Sequence, residues 1–487
     1  MFALLSILLA QAVQPSPVIG IDGGYLQQTS GTGAYFIDPT GSDANACTSS
    51  GSLACATLGG VFSKLPYRVA HAQTITVAAG TYSGAVTFSG IIDANITITG
   101  PALANVTPTT GSATGSLTAA VNATPVFVTD GAATWTANDF RGRFLVMTSG
   151  AASGNVRPIV SNTSTTITLA SPFSVAPSAA DTYAIQSPAA IFTDSTVGGD
   201  TFRIRALGQS ITGNSSVTFT GVEFGATGAG GTAVKAALEG NVILQMTNTR
   251  LYANNTSSGV GFSYTNGGTV GFTSSAVVST GIAFRVVSAA GVLASASPGG
   301  RAQVSSVLFY SSGSTSAISL ESLGGGMSWV PSVGWTALTN STSSADAALK
   351  VLGIVAASNI AAVGVLQCLQ NGPVGLYVPS PTAVSQSTFS ARVGFGIIQV
   401  YGCNTGLYLQ DGQAWADMFV RFDCGLVSGT CIKVADGAHM HVPSTFNTDA
   451  GTDINIDGTS YTKANLTGAS PTRLPTTPNV QGSSVWQ

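Results

Sequence analysis

Acidic side chains are scarce in this sequence, and their densest group lies near the C-terminus: Asp411, Asp417, Asp423 and Asp436, with Arg421 among them. Asp411-Gly412 and Asp436-Gly437 recur 25 residues apart. If the chain stacks on itself at that period, the two carboxylates lie about 4.8 Å apart, the spacing of neighbouring strands. Carboxylates that close raise one another's pKa or recruit a cation. Sugar hydrolysis takes two carboxylates, one as acid and one as base or nucleophile. Sugar elimination takes a calcium ion and a basic Arg or Lys. Asp411, Asp436, Asp417 and Arg421 are therefore the candidate catalytic set. The sequence calls for no cofactor and no dedicated metal site, with Ca2+ at these carboxylates the one ion in play. Asp-Gly is also an ordinary turn dipeptide, so a repeated turn alone would repeat the Asp.

Three tryptophans are candidates for stacking on sugar rings. Trp329 and Trp335 sit in a Gly-rich stretch, GGGMSWVPSVGW, expected to protrude as a loop, and Trp415 follows Asp411. The alternative for Trp329 and Trp335 is that both cover the helix flank, and for Trp415 a place in the core, which is the stronger reading there. The repeat sets Trp415 beside Met440. His439 and His441 flank that Met on one face, a pair able to ligate a metal but without a third ligand. Arg203 and Arg205 share a face near Asp200. Arg141, Arg143, Arg157 and Trp135 offer a second sugar face, with surface arginines around a core Trp as the simpler account.

Cys47 and Cys55 bracket a short Ser, Gly and Thr loop, the pattern of a local disulfide. Cys368, Cys403, Cys424 and Cys431 lack zinc spacing. Cys403 and Cys424 precede successive repeats and are expected to be neighbours. Phosphate-binding loops, dinucleotide fingerprints, HExxH and GxSxG motifs are absent from the sequence.

These residues need a scaffold, and composition bounds it. The 487 residues are 44% hydrophobic and only 8% charged, against roughly 25% charged in an average soluble protein. No apolar run approaches the ~18 to 20 residues that span a bilayer. The polar surface must come from Ser, Thr, Asn, Gln and Gly. A net charge of −3 without a basic cluster argues against nucleic acid. The 59 glycines follow no three-residue period, which excludes collagen.

The organising feature is a repeated unit of apolar-x-apolar strands with small or polar residues at the turns. Val260, Phe262, Tyr264 and Val270 match Ile282, Phe284, Val286 and Val292 at an offset of 22. Leu407 and Leu409 match Ile432 and Val434, and then Ile454 and Ile456. Ile75 and Val77 match Ile96 and Ile98. Weaker copies occur at Phe202/Ile204, Val234/Ala236, Ile318/Leu320, Leu349/Val351 and Leu376/Val378. Such a unit cannot cover its own apolar edge, so the units must stack. Period-2 alternation makes the stack β rather than helical. A Greek-key sandwich is the main rival.

The opening segment is specific enough to carry a resemblance. Tyr35 to Asp43 reads YFIDPTGSD, then come Cys55-Ala56-Thr57-Leu58 and TITVAAGTY from Thr74 to Tyr82. Over about 65 residues this resembles the first coil of pectin-lyase-like right-handed parallel β-helix proteins, both secreted ones and phage tail spikes. The resemblance implies an all-β, right-handed parallel β-helix solenoid with an N-terminal capping helix, here Ala56 to Leu65. It implies nothing about activity. Off-period strands over 120–187 form a small inserted β module.

The expected organisation is a signal-like or anchoring segment over 1–34, first coils over 35–119, the module over 120–187, the main β-helix over 188–465 and a tail over 466–487. Met1 to Ala12 reads as a secretion signal or an apolar anchor. The function expected is that of an extracellular or virion-surface protein, tail-spike- or adhesin-like, that contacts a polysaccharide or cell-surface glycan. A secreted polysaccharide lyase or glycoside hydrolase is the alternative, and a purely structural rod is the third. Partners are expected to be glycan and, through the flanks, a homotrimer or larger assembly.

Overall fold

The computed structural model describes residues 28–357 apart from 124, 209–214, 254–257, 266–267, 289–300, 314 and 332–333. Beyond 357 it describes 363–370, 372–379, 392–394, 397–410, 415–416, 421–427, 430–435, 439–442, 445–448, 452–456, 461–464, 479–480 and 485–486. Met1 to Ala12 lies outside these residues.

Parallel strands stack into a right-handed β-helix with three faces. The first face begins with Gly33–Ile37, Gln73–Val77, Asn95–Thr99, Ser215–Thr220 and Val242–Thr247. The second begins with Gly80–Ser83, Ala190–Asp194, Val222–Ala226 and Arg250–Ala253. The third begins with Val86–Ile92, Asp200–Gly208, Thr232–Gly240, Val260–Thr265 and Ile282–Ser288. Pairing of the third face continues through Thr405–Gln410, Thr430–Ala435 and Thr452–Ile456 to Asn479–Val480. The short strands at 479–480 and 485–486 thus extend the column.

Alternation explains why it stacks. Every second side chain of each strand points inward, where like packs on like from coil to coil. Tyr82, Phe192 and Phe224 form a continuous ring stack on the second face, with centroids 5.0 and 5.2 Å apart. On the third face, Phe262 stacks on Phe284 at 5.6 Å. Val260 pairs with Ile282, Phe262 with Phe284, and Leu407 with Ile432 and on to Ile454.

Two expected neighbours shift. Ile75 pairs with Ile98 rather than Ile96. A two-residue slip keeps every side chain on its own face, so alternation alone does not fix it. Val270 pairs with Ala302, not Val292, because this turn of the column is longer than 22 residues.

A helix at Leu58–Phe62 is shorter than the Ala56 to Leu65 expected. Thr57 caps it, its Oγ1 accepting from Gly60 N. Leu58 and Val61 enter the core, and Phe62 meets Phe88 edge-on at 5.0 Å.

Between Asn95–Thr99 on the first face and Ala190–Asp194 on the second, the chain leaves the column and folds a separate eight-stranded, antiparallel unit. Its core holds Trp135, Phe140, Leu145, Ile159, Tyr183 and Ile185. It starts at Ala104, ahead of residue 120, because its first strands, Ala104–Asn105 and Thr114–Ser116, carry too few apolar residues to show alternation. The module lies against the second face. Phe144, Val160 and Ala170 pack on Ala276, Val278, Leu308 and Leu338. Arg141 donates to the Tyr310 hydroxyl at 3.0 Å, and Thr336 Oγ1 donates to the Ala170 carbonyl at 2.9 Å.

Disulfides join Cys47 to Cys55, as expected, and Cys368 to Cys403. Cys403 therefore bonds to the preceding coil rather than to Cys424. Cys431 is also disulfide-bonded.

Candidate functional site

The third face carries an outward row that runs through the register without a break. Thr87 pairs with Arg203, Arg203 with Lys235, Lys235 with Ser263, and Ser263 with Arg285. Arg285 pairs with Ser319, Ser319 with Lys350, Lys350 with Tyr377, Tyr377 with Tyr408, and Tyr408 with Lys433. The row has ten positions: five cations, two tyrosines, three hydroxyl side chains and no carboxylate. At the spacing of parallel strands it spans about 43 Å along the column.

Local sequence dictates the row. Each member is the middle residue of an apolar-x-apolar triplet. Phe202 and Ile204 are buried while Arg203 between them is exposed. The same holds inward and outward at Val234-Lys235-Ala236, Leu349-Lys350-Val351 and Leu407-Tyr408-Leu409.

Its C-terminal part is the most organised. The Tyr377 and Tyr408 rings lie nearly parallel, with centroids 5.1 Å apart and planes inclined by 13°. Lys350 Nζ lies 5.6 Å from the centre of the Tyr377 ring, and Lys433 Nζ 4.5 Å from that of Tyr408. The Tyr377 hydroxyl donates to Gln410 Oε1. A cation at each end of a two-ring stack holds the rings in place through their negative faces. At the N-terminal end, Arg203 donates to Asp200 Oδ2 from Nε at 2.8 Å, and Lys235 approaches the same oxygen at 4.0 Å. Asp200 is buried at the strand's start and sets Arg203 upright. Arg205 projects from the adjacent row. Six of the chain's 17 Lys and Arg residues thus share one face.

The residues expected to act are distributed differently. Asp411, Asp417 and Asp436 lie outside the described residues. The strands that lead into the first and last of these pair Gln410 with Ala435, which preserves the 25-residue offset up to the turn. Arg421 begins a strand of the second face, in register with Ile397 and Thr445, whereas Gln410 ends one of the third. The backbone therefore sets Arg421 on a different face from the strands that precede Asp411 and Asp436.

Trp329 and Trp335 do not share a protruding loop. Trp329 lies within the strand Ile318–Pro331, in register with the buried Ala302. Trp335 is 1% exposed and fills the core. Gly364 in the next coil makes room for it: a Cβ there would lie 2.5 Å from the indole. Trp335 therefore offers no ring to a ligand. Trp415 is in register with His439 rather than Met440, and Ala416 takes the place beside Met440. His441 is two residues further along that strand, in register with Lys463. Among the described residues, no three His, Cys, Asp or Glu side chains are grouped to hold a metal.

The module's arginines are structural. Arg143 faces Glu223 at 3.8 Å and donates to Ser187 Oγ, and Glu223 also receives Arg250 at 2.9 Å. Burial, then the neighbouring Arg250, lowers the Arg143 pKa. Arg157 is buried, donating to the Pro172 carbonyl, and burial lowers its pKa to about 10. Trp135 donates its indole N–H to the Ser112 carbonyl from within the module core. Beside it, Tyr183 donates to the buried Asp130 at 2.7 Å, and burial pushes the phenol far above its ordinary pKa.

No family model matches the chain, and no curated protein does. Among solved structures, a protein described as a glycoside hydrolase is 9% identical over 93% of this chain and 96% of its own, with a TM-score of 0.33. The tailspike protein gp49 from Pseudomonas phage LKA1 is 12% identical over 94% and 74%, with a TM-score of 0.22. The Gp54 tailspike of Acinetobacter baumannii bacteriophage AP22, solved in complex with A. baumannii capsular saccharide, is 10% identical over 84% and 73%, with a TM-score of 0.19. At these values the likeness decides nothing about ligand or activity.

Proposed function

We propose that this is an extracellular or virion-surface β-helix of the tailspike or adhesin kind, and that it holds a polysaccharide along its third face. The observation that carries the proposal is the Lys350–Tyr377–Tyr408–Lys433 stack and its continuation to Arg203. Tyrosine combines an apolar ring with a hydroxyl, which suits it to sugars; Tyr408 is the half-buried ring at the surface, and Tyr377, 8% exposed, backs it. Lysine and arginine add directional donors. The disulfides favour an oxidising compartment.

The test is binding to arrayed capsular and matrix polysaccharides, with the wild type compared against Tyr408→Ala and Lys433→Gln. The proposal requires a glycan whose retention drops at least tenfold in both variants. Retention unchanged in both would remove the third face from consideration. Cleavage is tested on the same glycans by reducing-end and unsaturated-product assays. If Asp411 and Asp436 form a catalytic pair, turnover is lost in the double alanine variant. The matched offset of the strands leading to them supports that pairing.

A further inference from the structure

We infer that the third face selects a polyanionic polysaccharide, one bearing uronate, sulfate or phosphate groups, laid parallel to the column axis; this rests on the glycan-binding reading above. The argument begins with charge. The chain as a whole has a net charge of −3, yet the row from Thr87 to Lys433 holds five cations and no carboxylate. Asp200, which touches Arg203 and Lys235, offsets one of them. In the adjacent row Arg205 is positive and, by backbone register, Glu321 negative, and Glu239, in register with Leu207, stands one row further along. Positive charge is thus concentrated in one line on a negative molecule. A line of like charges on a rigid scaffold attracts a polymer of the opposite sign and guides it on arrival.

Geometry sets direction. The cations do not converge on a point, as they would around a small anion. They are strung out over tiers of one register, at steps of one to three coils. Only an extended ligand running along the column meets them all. Between Lys350 and Lys433 the line of charge is interrupted by Tyr377, which is 8% exposed, and by Tyr408; the rings face each other and the two lysines, so the stack offers a ligand ring edges rather than ring faces. An acidic polysaccharide, extended and charged at intervals, is such a ligand.

The experiment uses the full-length protein and four acidic polysaccharides: polygalacturonate, alginate, hyaluronate and chondroitin sulfate. Each is paired with a neutral counterpart, carboxyl-reduced and, for chondroitin sulfate, also desulfated. Binding is measured by biolayer interferometry at 50 and 500 mM NaCl. At least one acidic polymer is expected to bind at least tenfold tighter than its neutral form and to weaken at least tenfold at high salt. Lys350→Gln/Lys433→Gln is expected to abolish that preference while Lys350→Arg/Lys433→Arg retains it, with circular dichroism confirming the fold of both. Neutral polymers bound as tightly as acidic ones, with no salt effect, would overturn this inference and leave glycan binding intact. Single-stranded DNA bound more tightly than every acidic polysaccharide would also overturn it. No glycan bound, on these polymers or on the array, would overturn both.

Discussion

The second and third faces are built from the same kind of strand, yet their outward side chains do opposite things. On the second face, the buried Glu223 and Arg250 meet Arg143 of the inserted module. On the third, Arg203, Lys235, Lys350 and Lys433 stand at least partly in solvent beside hydroxyls and tyrosine rings. What differs is the cover. Where a second layer arrives, charge must be matched by charge, because an isolated buried ion is too costly. Where none arrives among the described residues, charge stays at the surface.

That contrast can be broken by mutation. The largest effect is expected at Glu223→Ala, which leaves the buried Arg250 without its carboxylate and should cost about 3–5 kcal/mol in denaturant unfolding. A loss below about 1 kcal/mol would mean that the seam is wet. Alkaline pH comes next. Tyr82, Tyr183 and Tyr264 are buried in column and module, and burial raises the pKa of each. In the unfolded chain they ionise near pH 10. Their contribution is therefore complete below pH 10 and is lost as pH rises above it, at about 1.4 kcal/mol per pH unit for each phenol. Unfolding midpoints measured from pH 9 to 11.5 should fall in step with the appearance of tyrosinate absorbance; flat midpoints would contradict the burial.

A smaller change, about 1 kcal/mol, is expected for Tyr310→Phe, which removes the hydroxyl that accepts from Arg141 across the seam. The smallest belongs to the open face. Lys350→Gln should shift stability by no more than about 0.5 kcal/mol, even as it weakens glycan retention. A stability loss as large as that at Glu223 would make Lys350 part of the framework and erase the distinction.

Much of the column was legible. Val260 with Ile282 and Leu407 with Ile432 could be matched because inward positions repeat a strong apolar signal. Registers failed where that signal is degenerate, as at Ile75, since a two-residue slip exchanges one inward residue for the next. Trp335 misled because Gly-rich sequence suggests a loop, whereas it lies in the strand Gly334–Thr339 and Gly364 of the next coil admits its indole to the core. The row on the third face went unseen although its signal was present. Phe202/Ile204, Val234/Ala236 and Leu349/Val351 mark inward pairs, and the residue between each pair is the one facing out. Single polar residues separated by whole coils form no cluster in sequence; only the register aligns them. The seam of the second face left no local trace at all, since Arg141 and Tyr310 are 169 residues apart.

That separation has a consequence for biosynthesis. Chains are made at about 5–20 residues per second, so Tyr310 follows Arg141 out of the ribosome by roughly 8–34 s. The module's own core closes within residues 104–187 and can be complete by then. Later coils would meet a finished wall, and each new rung could be checked for alignment against it before the next is laid.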